Sequence, residues 1–188
     1  MEEKKKTNKS LIREALYFLG ELAICLIVVE LFVNFVARPI RVVGSSMYPT
    51  YDDGSIGIMY KLNMDEEDLK RFDVLIINCE QKDELIIKRL IGFPGETVTM
   101  ENDVLTIDGV VYDQYFLDED YVNNYKTTYN NNFTNDFSIT LGEGEYFVLG
   151  DNRPYSADSR YFGPFSYEDI EGRNGFIIYP FSDFGSFE

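Results

Sequence analysis

Apolar side chains dominate residues 15–37, a run of 23 positions rich in Leu, Ile, Val, Phe and Ala that only Glu21, Glu30 and Asn34 interrupt. Wound as a helix, this run reaches about 35 Å, enough to cross a hydrocarbon core of about 30 Å. Past Pro39 the pattern changes to short β-branched and aromatic runs separated by turn residues. Strands are predicted at 40–43, 57–60, 74–78, 85–91, 97–99, 104–107, 110–112, 146–149 and 176–179. Turn signals punctuate them at Asp52-Asp53-Gly54, Pro94-Gly95 and Asp108-Gly109, the last a hairpin signal. Residues 118–137, rich in Asp, Asn and Tyr, read as a long loop or mobile tip. A short helix is expected at 167–171, and a frayed aromatic tail follows the last strand. The body is thus all-β, and one helix precedes it.

Charge refines this division. The chain of 188 residues has a formal charge of −16, yet residues 1–37 carry five acidic and five basic side chains. The acidity lies entirely in the β body, which argues against nucleic-acid binding, since that needs basic surface. Five Lys and Arg precede the apolar run, while only Arg38 and Arg41 follow it closely. The positive-inside rule then keeps the N-terminus cytoplasmic and exports the body. A removable leader would have a shorter apolar region and a small-residue cleavage site, whereas this run leads into Arg38-Pro39-Ile40-Arg41. The segments expected are a cytoplasmic tail at 1–14, a transmembrane helix at 15–37 and an extracytoplasmic domain at 38–188. Cys25 and Cys79 fall on opposite sides of the boundary, so neither a disulfide nor a metal spacing is available. No cofactor or metal is implied.

The chain contains no histidine. A serine nucleophile here must take its base from another residue, and a desolvated neutral lysine can serve. Ser46 lies in Gly44-Ser45-Ser46-Met47-Tyr48-Pro49-Thr50, where glycine permits a tight turn and proline stiffens the exit. Lys88 lies in Ile86-Ile87-Lys88-Arg89-Leu90, on a strand face shared with Ile86 and Leu90. Aliphatic neighbours disfavour the ammonium and lower its pKa, which a base working near neutrality requires. Arg89 reads as a surface or bracing residue.

Ser-Met-x-Pro-Thr, Lys-Arg-x-Ile-Gly-x-Pro-Gly and, at 150–160, Gly-Asp-Asn-Arg-x-x-Ser-x-Asp-Ser-Arg occur here in that order. From about Arg38 to about Pro180 the chain closely resembles the type I signal peptidases, membrane-bound Ser/Lys endopeptidases that remove signal peptides from exported preproteins. Its single anchor is similar to the shorter Gram-positive members. The resemblance implies an antiparallel β-sheet catalytic core with an inserted second β-region, placed at about 100–142. It implies Ser46 as nucleophile, Lys88 as base and Ser156 as the hydroxyl that hydrogen-bonds and aims the lysine amine. Asp158 with Arg160 match a charged pair bracing the site, and Asp151 with Arg153 open the third motif. Implied partners are exported preproteins with small residues before the cleavage site, together with membrane lipid. One position departs from some members: Gly44 stands where they carry a serine hydroxyl for the oxyanion hole. That leaves the Ser46 backbone N–H and a further donor, for which Ser45 is a candidate. Two rival readings are a self-cleaving Ser/Lys peptidase of the SOS-repressor type and a catalytically idle relative acting by binding, for instance in surface-pilus assembly. The first lacks a membrane anchor, and the second tends to lose the Ser or the Lys that this chain keeps.

Overall fold

The computed structural model describes residues 2–61 and 65–187. Helix α1 spans Glu2–Phe35 and so begins well before the apolar run. Its stretch Leu11–Phe35, 25 residues with mean hydropathy 2.3 and none of it buried in the fold, is long and apolar enough to cross a membrane. The lysines at 4–9 that set the expected orientation have side chains outside the described ones.

Two antiparallel sheets follow. The larger contains β1 (Ala37–Arg41), β2 (Ile56–Tyr60), β3 (Val74–Cys79) and β4 (Glu84–Gly92). The smaller is built from β5 (Thr97–Glu101), β6 (Val104–Ile107), β7 (Val110–Tyr112) and β8 (Phe137–Thr140), in the order β7-β6-β5-β8. Two-residue turns join its first three strands, Asn102-Asp103 and Asp108-Gly109, with positive φ at all four positions. The chain then returns to the larger sheet through β9 (Phe147–Leu149), β10 (Ile170–Tyr179) and β11 (Gly185–Phe187). The order there is β1-β2-β10-β3-β4-β9, with β11 against β10. The N-terminal hairpin and the lysine-bearing hairpin are therefore joined by a strand from near the C-terminus.

Several expectations are corrected. Residues 119–129 form helix α2 (Glu119–Tyr129), not a loop. The Asp118 carboxylate caps it by accepting from the Tyr121 N–H, and Asn130 ends it in the left-handed region. Tyr121, Val122 and Tyr125 face inward at helical spacing, but half-buried only, so polar residues mask the period. The helix expected at 167–171 is a single 3-10 turn, Tyr167–Asp169, after which β10 begins at once. The first strand lies earlier than expected, at 37–41, and contains Pro39, which it tolerates as the edge of its sheet. The aromatic tail folds back as β11, with the Phe176 and Phe184 rings 4.6 Å apart.

Between the sheets lies a core of Phe72, Ile91, Val98, Met100, Leu105, Ile107, Leu141, Phe147 and Leu149. Arg71 ties the sheets by donating to the Ile91 carbonyl and to both Glu96 oxygens, stacked near Phe93 and Tyr112. A smaller cluster of Val42, Met47, Tyr51, Val74 and Ile177 fixes the segment carrying Ser46 against β3 and β10.

Candidate active site

Ser46 sits in the connection between β1 and β2. Gly44 has φ +87°, open to glycine without strain, and its N–H donates to Asp53. Met47, 1% exposed, plugs the core immediately after the serine. The Ser45 carbonyl accepts from the Tyr48 N–H, closing the turn. Ser46 itself stays half-buried at the surface of a crevice of about 540 Å³, whose walls include Val43, Leu85, Ile86, Ile87, Tyr155 and Ala157.

Lys88 reaches the same point from the middle of β4. Its Nζ donates to Ser46 Oγ at 2.8 Å and to the Ile87 carbonyl at 2.7 Å. The side chain is 2% exposed, and Ile86 and Leu90 belong to the adjoining core. Burial pulls the amine down from 10.5 to about 8; the Asp158 carboxylate opposes this, and the like charge of Lys82 assists it. A serine hydroxyl is thus hydrogen-bonded to an amine that burial shifts toward its neutral form.

The third motif packs behind this pair. Gly150 lets it approach, because a Cβ there would collide with the Ser46 carbonyl and with Ser156. Asp151 does not pair with its sequence neighbour Arg153. It forms a two-pronged ion pair with Arg89 of β4, at 2.9 and 2.7 Å, with both side chains 1% exposed. Its Oδ2 also accepts from Thr50 at 2.7 Å, linking the motif to the nucleophile segment. Arg89 further donates to the Phe72 carbonyl and lies over the Phe116 ring, so it is a buried brace. Arg153 is buried and donates to the Gly150 carbonyl and to Thr134, and burial lowers its pKa to about 10. Asp158, 0% exposed, accepts from the Gly150 N–H and from Arg160, whose guanidinium also donates to the Arg153 carbonyl.

Ser156 departs from its implied role. Its buried Oγ has no hydrogen-bond partner among the described residues, so it does not bond the Lys88 amine; the second acceptor of that amine is the Ile87 carbonyl. Sequence reasoning assigned no part to Thr50, Asn152 or Tyr121. The first two lie inside the quoted motifs, so their positions carried a signal, whereas nothing around Tyr121 did.

Residues 15–179 match the family described as signal peptidase, peptidase S26. The chain is 38% identical over 164 residues to signal peptidase I P of Bacillus subtilis subsp. natto, covering 86% of this chain and 87% of that one. It is 35% identical over 186 residues to signal peptidase I of Bacillus licheniformis, covering 97% of each. Signal peptidase I of Streptococcus pneumoniae serotype 4 is 32% identical over 203 aligned positions, covering 90% of this chain and 97% of that one. A crystal structure of a signal peptidase I from Enterococcus faecalis matches 56% of this chain and 96% of its own, with 42% identity and a TM-score of 0.48. On the extent of these matches, the chain belongs to the signal peptidase family, peptidase S26.

Proposed function

We propose that this protein is a membrane-anchored serine endopeptidase that removes signal peptides from exported preproteins, using Ser46 and Lys88 as a catalytic dyad. The observation that carries the reading is the 2.8 Å contact between Ser46 Oγ and the Nζ of a lysine only 2% exposed. Neutral Lys88 takes the hydroxyl proton as Ser46 Oγ attacks the scissile carbonyl. The resulting ammonium then protonates the leaving amine, giving an acyl-enzyme and a freed mature N-terminus. Lys88, neutral again, takes a proton from water as the water oxygen attacks the ester, and the ammonium returns that proton to Ser46 Oγ as the signal-peptide acid leaves. The Ser46 N–H donates to no acceptor among the described residues and is available to the oxyanion. Small and aliphatic walls at Val43, Ile86 and Ala157 suit small substrate side chains.

Residues 15–37 serve as anchor, with residues 1–14 in the cytoplasm and the domain from 38 onward outside. Asp158 with Arg160, and Asp151 with Arg89, act as structural braces, while Arg153 ties the motif to Thr134.

Ser46→Ala and Lys88→Ala should each lower cleavage of a detergent-solubilised preprotein to background, with circular dichroism unchanged. Their effects should not multiply, because the two side chains act as one unit. Substantial cleavage by either folded variant would sink the dyad. Equal cleavage-independent behaviour of wild type and Ser46→Ala in the cell would point to a binding role instead.

A further inference from the structure

We propose that Tyr121, on helix α2, is a positioning residue that acts through Asn152 to aim the backbone N–H of Ser46. This rests on the dyad reading above. Asn152 grips the nucleophile turn twice: its N–H donates to the Ser46 carbonyl at 3.0 Å, and its Nδ2 donates to the Ser45 carbonyl at 2.8 Å. The second contact matters most. The Ser45 carbonyl and the Ser46 N–H belong to one planar peptide unit and point in opposite directions. Holding that oxygen from behind therefore fixes the direction of the N–H in front. The Tyr48 N–H also donates to this oxygen at 3.1 Å, but from within the turn, so it moves with the turn. Among the described residues, Asn152 alone hydrogen-bonds this carbonyl from outside the turn.

An asparagine amide can perform this task in one orientation only, since a carbonyl accepts and cannot donate. Tyr121 supplies the lock: its hydroxyl donates to Asn152 Oδ1 at 3.1 Å, leaving Nδ2 facing Ser45. The tyrosine ring is itself held. It meets Tyr48, two residues after the nucleophile, edge-on at 5.1 Å, and Phe133 edge-on at 5.9 Å. Phe133 is 3% exposed, and the Asp103 carboxylate accepts from its N–H while also binding Lys126 of α2. The segment between β7 and β8, which carries none of the three motifs, thus touches the nucleophile turn directly at Tyr48 and, through Asn152, at Ser45.

Tyr121→Phe deletes the lock and keeps the ring contacts. Its kcat on a peptide substrate should fall about three- to tenfold with KM unchanged, a loss suited to one neutral hydrogen bond acting on transition-state geometry. Asn152→Ala should lower kcat by roughly 10²-fold, the scale of a misplaced oxyanion donor. The double variant should be no slower than Asn152→Ala alone, because Tyr121 works only through that amide. The pH at which activity rises should stay where it is, since the amine is untouched. Wild-type kcat in Tyr121→Phe, a loss confined to KM, or losses that multiply would each overturn the proposal. If Asn152→Ala does not fold, the kcat of Tyr121→Phe with its unfolding midpoint decides alone. Ser46→Ala in the same assay keeps the two ideas apart. An inactive Ser46→Ala beside a fully active Tyr121→Phe defeats the positioning role only, and an active Ser46→Ala defeats the dyad itself.

Discussion

At the scale of the residue, the proposed chemistry rests on one amine kept out of water. With its pKa pulled to about 8 by burial, Lys88 loses its proton well below the range of an ordinary lysine. The rate should therefore rise with pH along a single limb centred near that value and level off above it. Lys82, at the rim of the same crevice, contributes by like-charge repulsion. Lys82→Glu should move the limb upward by a few tenths of a pH unit, more at low ionic strength. Single-turnover cleavage from pH 6 to 11 reads both, and a wild-type limb at the ordinary lysine value of 10.5 would contradict desolvation. The same shift has a stability sign. Between about 8 and 10.5 the folded protein binds fewer protons than the unfolded chain, so stability rises with pH across that window. Ser46 and Lys88 were readable in the sequence because the absence of histidine left few bases and the motifs are local. The Asp151–Arg89 pair and the solitary Ser156 hydroxyl were not, since both depend on how residues 62 positions or more apart meet.

At the scale of the element, strands with clear β-branched runs were legible, and α2 was not. Its inward face is only half-buried, so tyrosines and asparagines obscure the helical period, while its Asp118 cap and Asn130 stop looked like ordinary loop residues. The first strand moved because pairing with β2, not hydrophobicity, sets its ends. What joins the two sheets is invisible locally too. At Gly92 a Cβ would lie 2.5 Å from Val98 Cγ2, 2.8 Å from Leu141 Cδ1 and 3.2 Å from Phe147 Cβ. Gly92→Ala should accordingly lower stability by about 1–3 kcal/mol through overpacking, read as a lower urea midpoint. An unchanged midpoint would mean that the smaller sheet slides without resistance, and that the junction does not hold the site.

At the scale of the whole molecule, an acidic β body follows an apolar helix, and the charge imbalance across that helix sets an expected orientation. Protease added to intact spheroplasts should digest a tag at the C-terminus and spare one at the N-terminus; the reverse pattern would overturn the export of the catalytic domain. The order of strands then acquires a temporal meaning. The hairpin before Ser46 and the hairpin bearing Lys88 are not neighbours in the sheet; β10, residues 170–179, lies between them. In the proposed topology, with the N-terminus held inside, the body would emerge from residue 38 onward, and the nucleophile and the base would cross well before the strand that lies between their hairpins. On the proposed reading the protease should stay inert while it is being threaded outward, and its own assembly should delay its first cut.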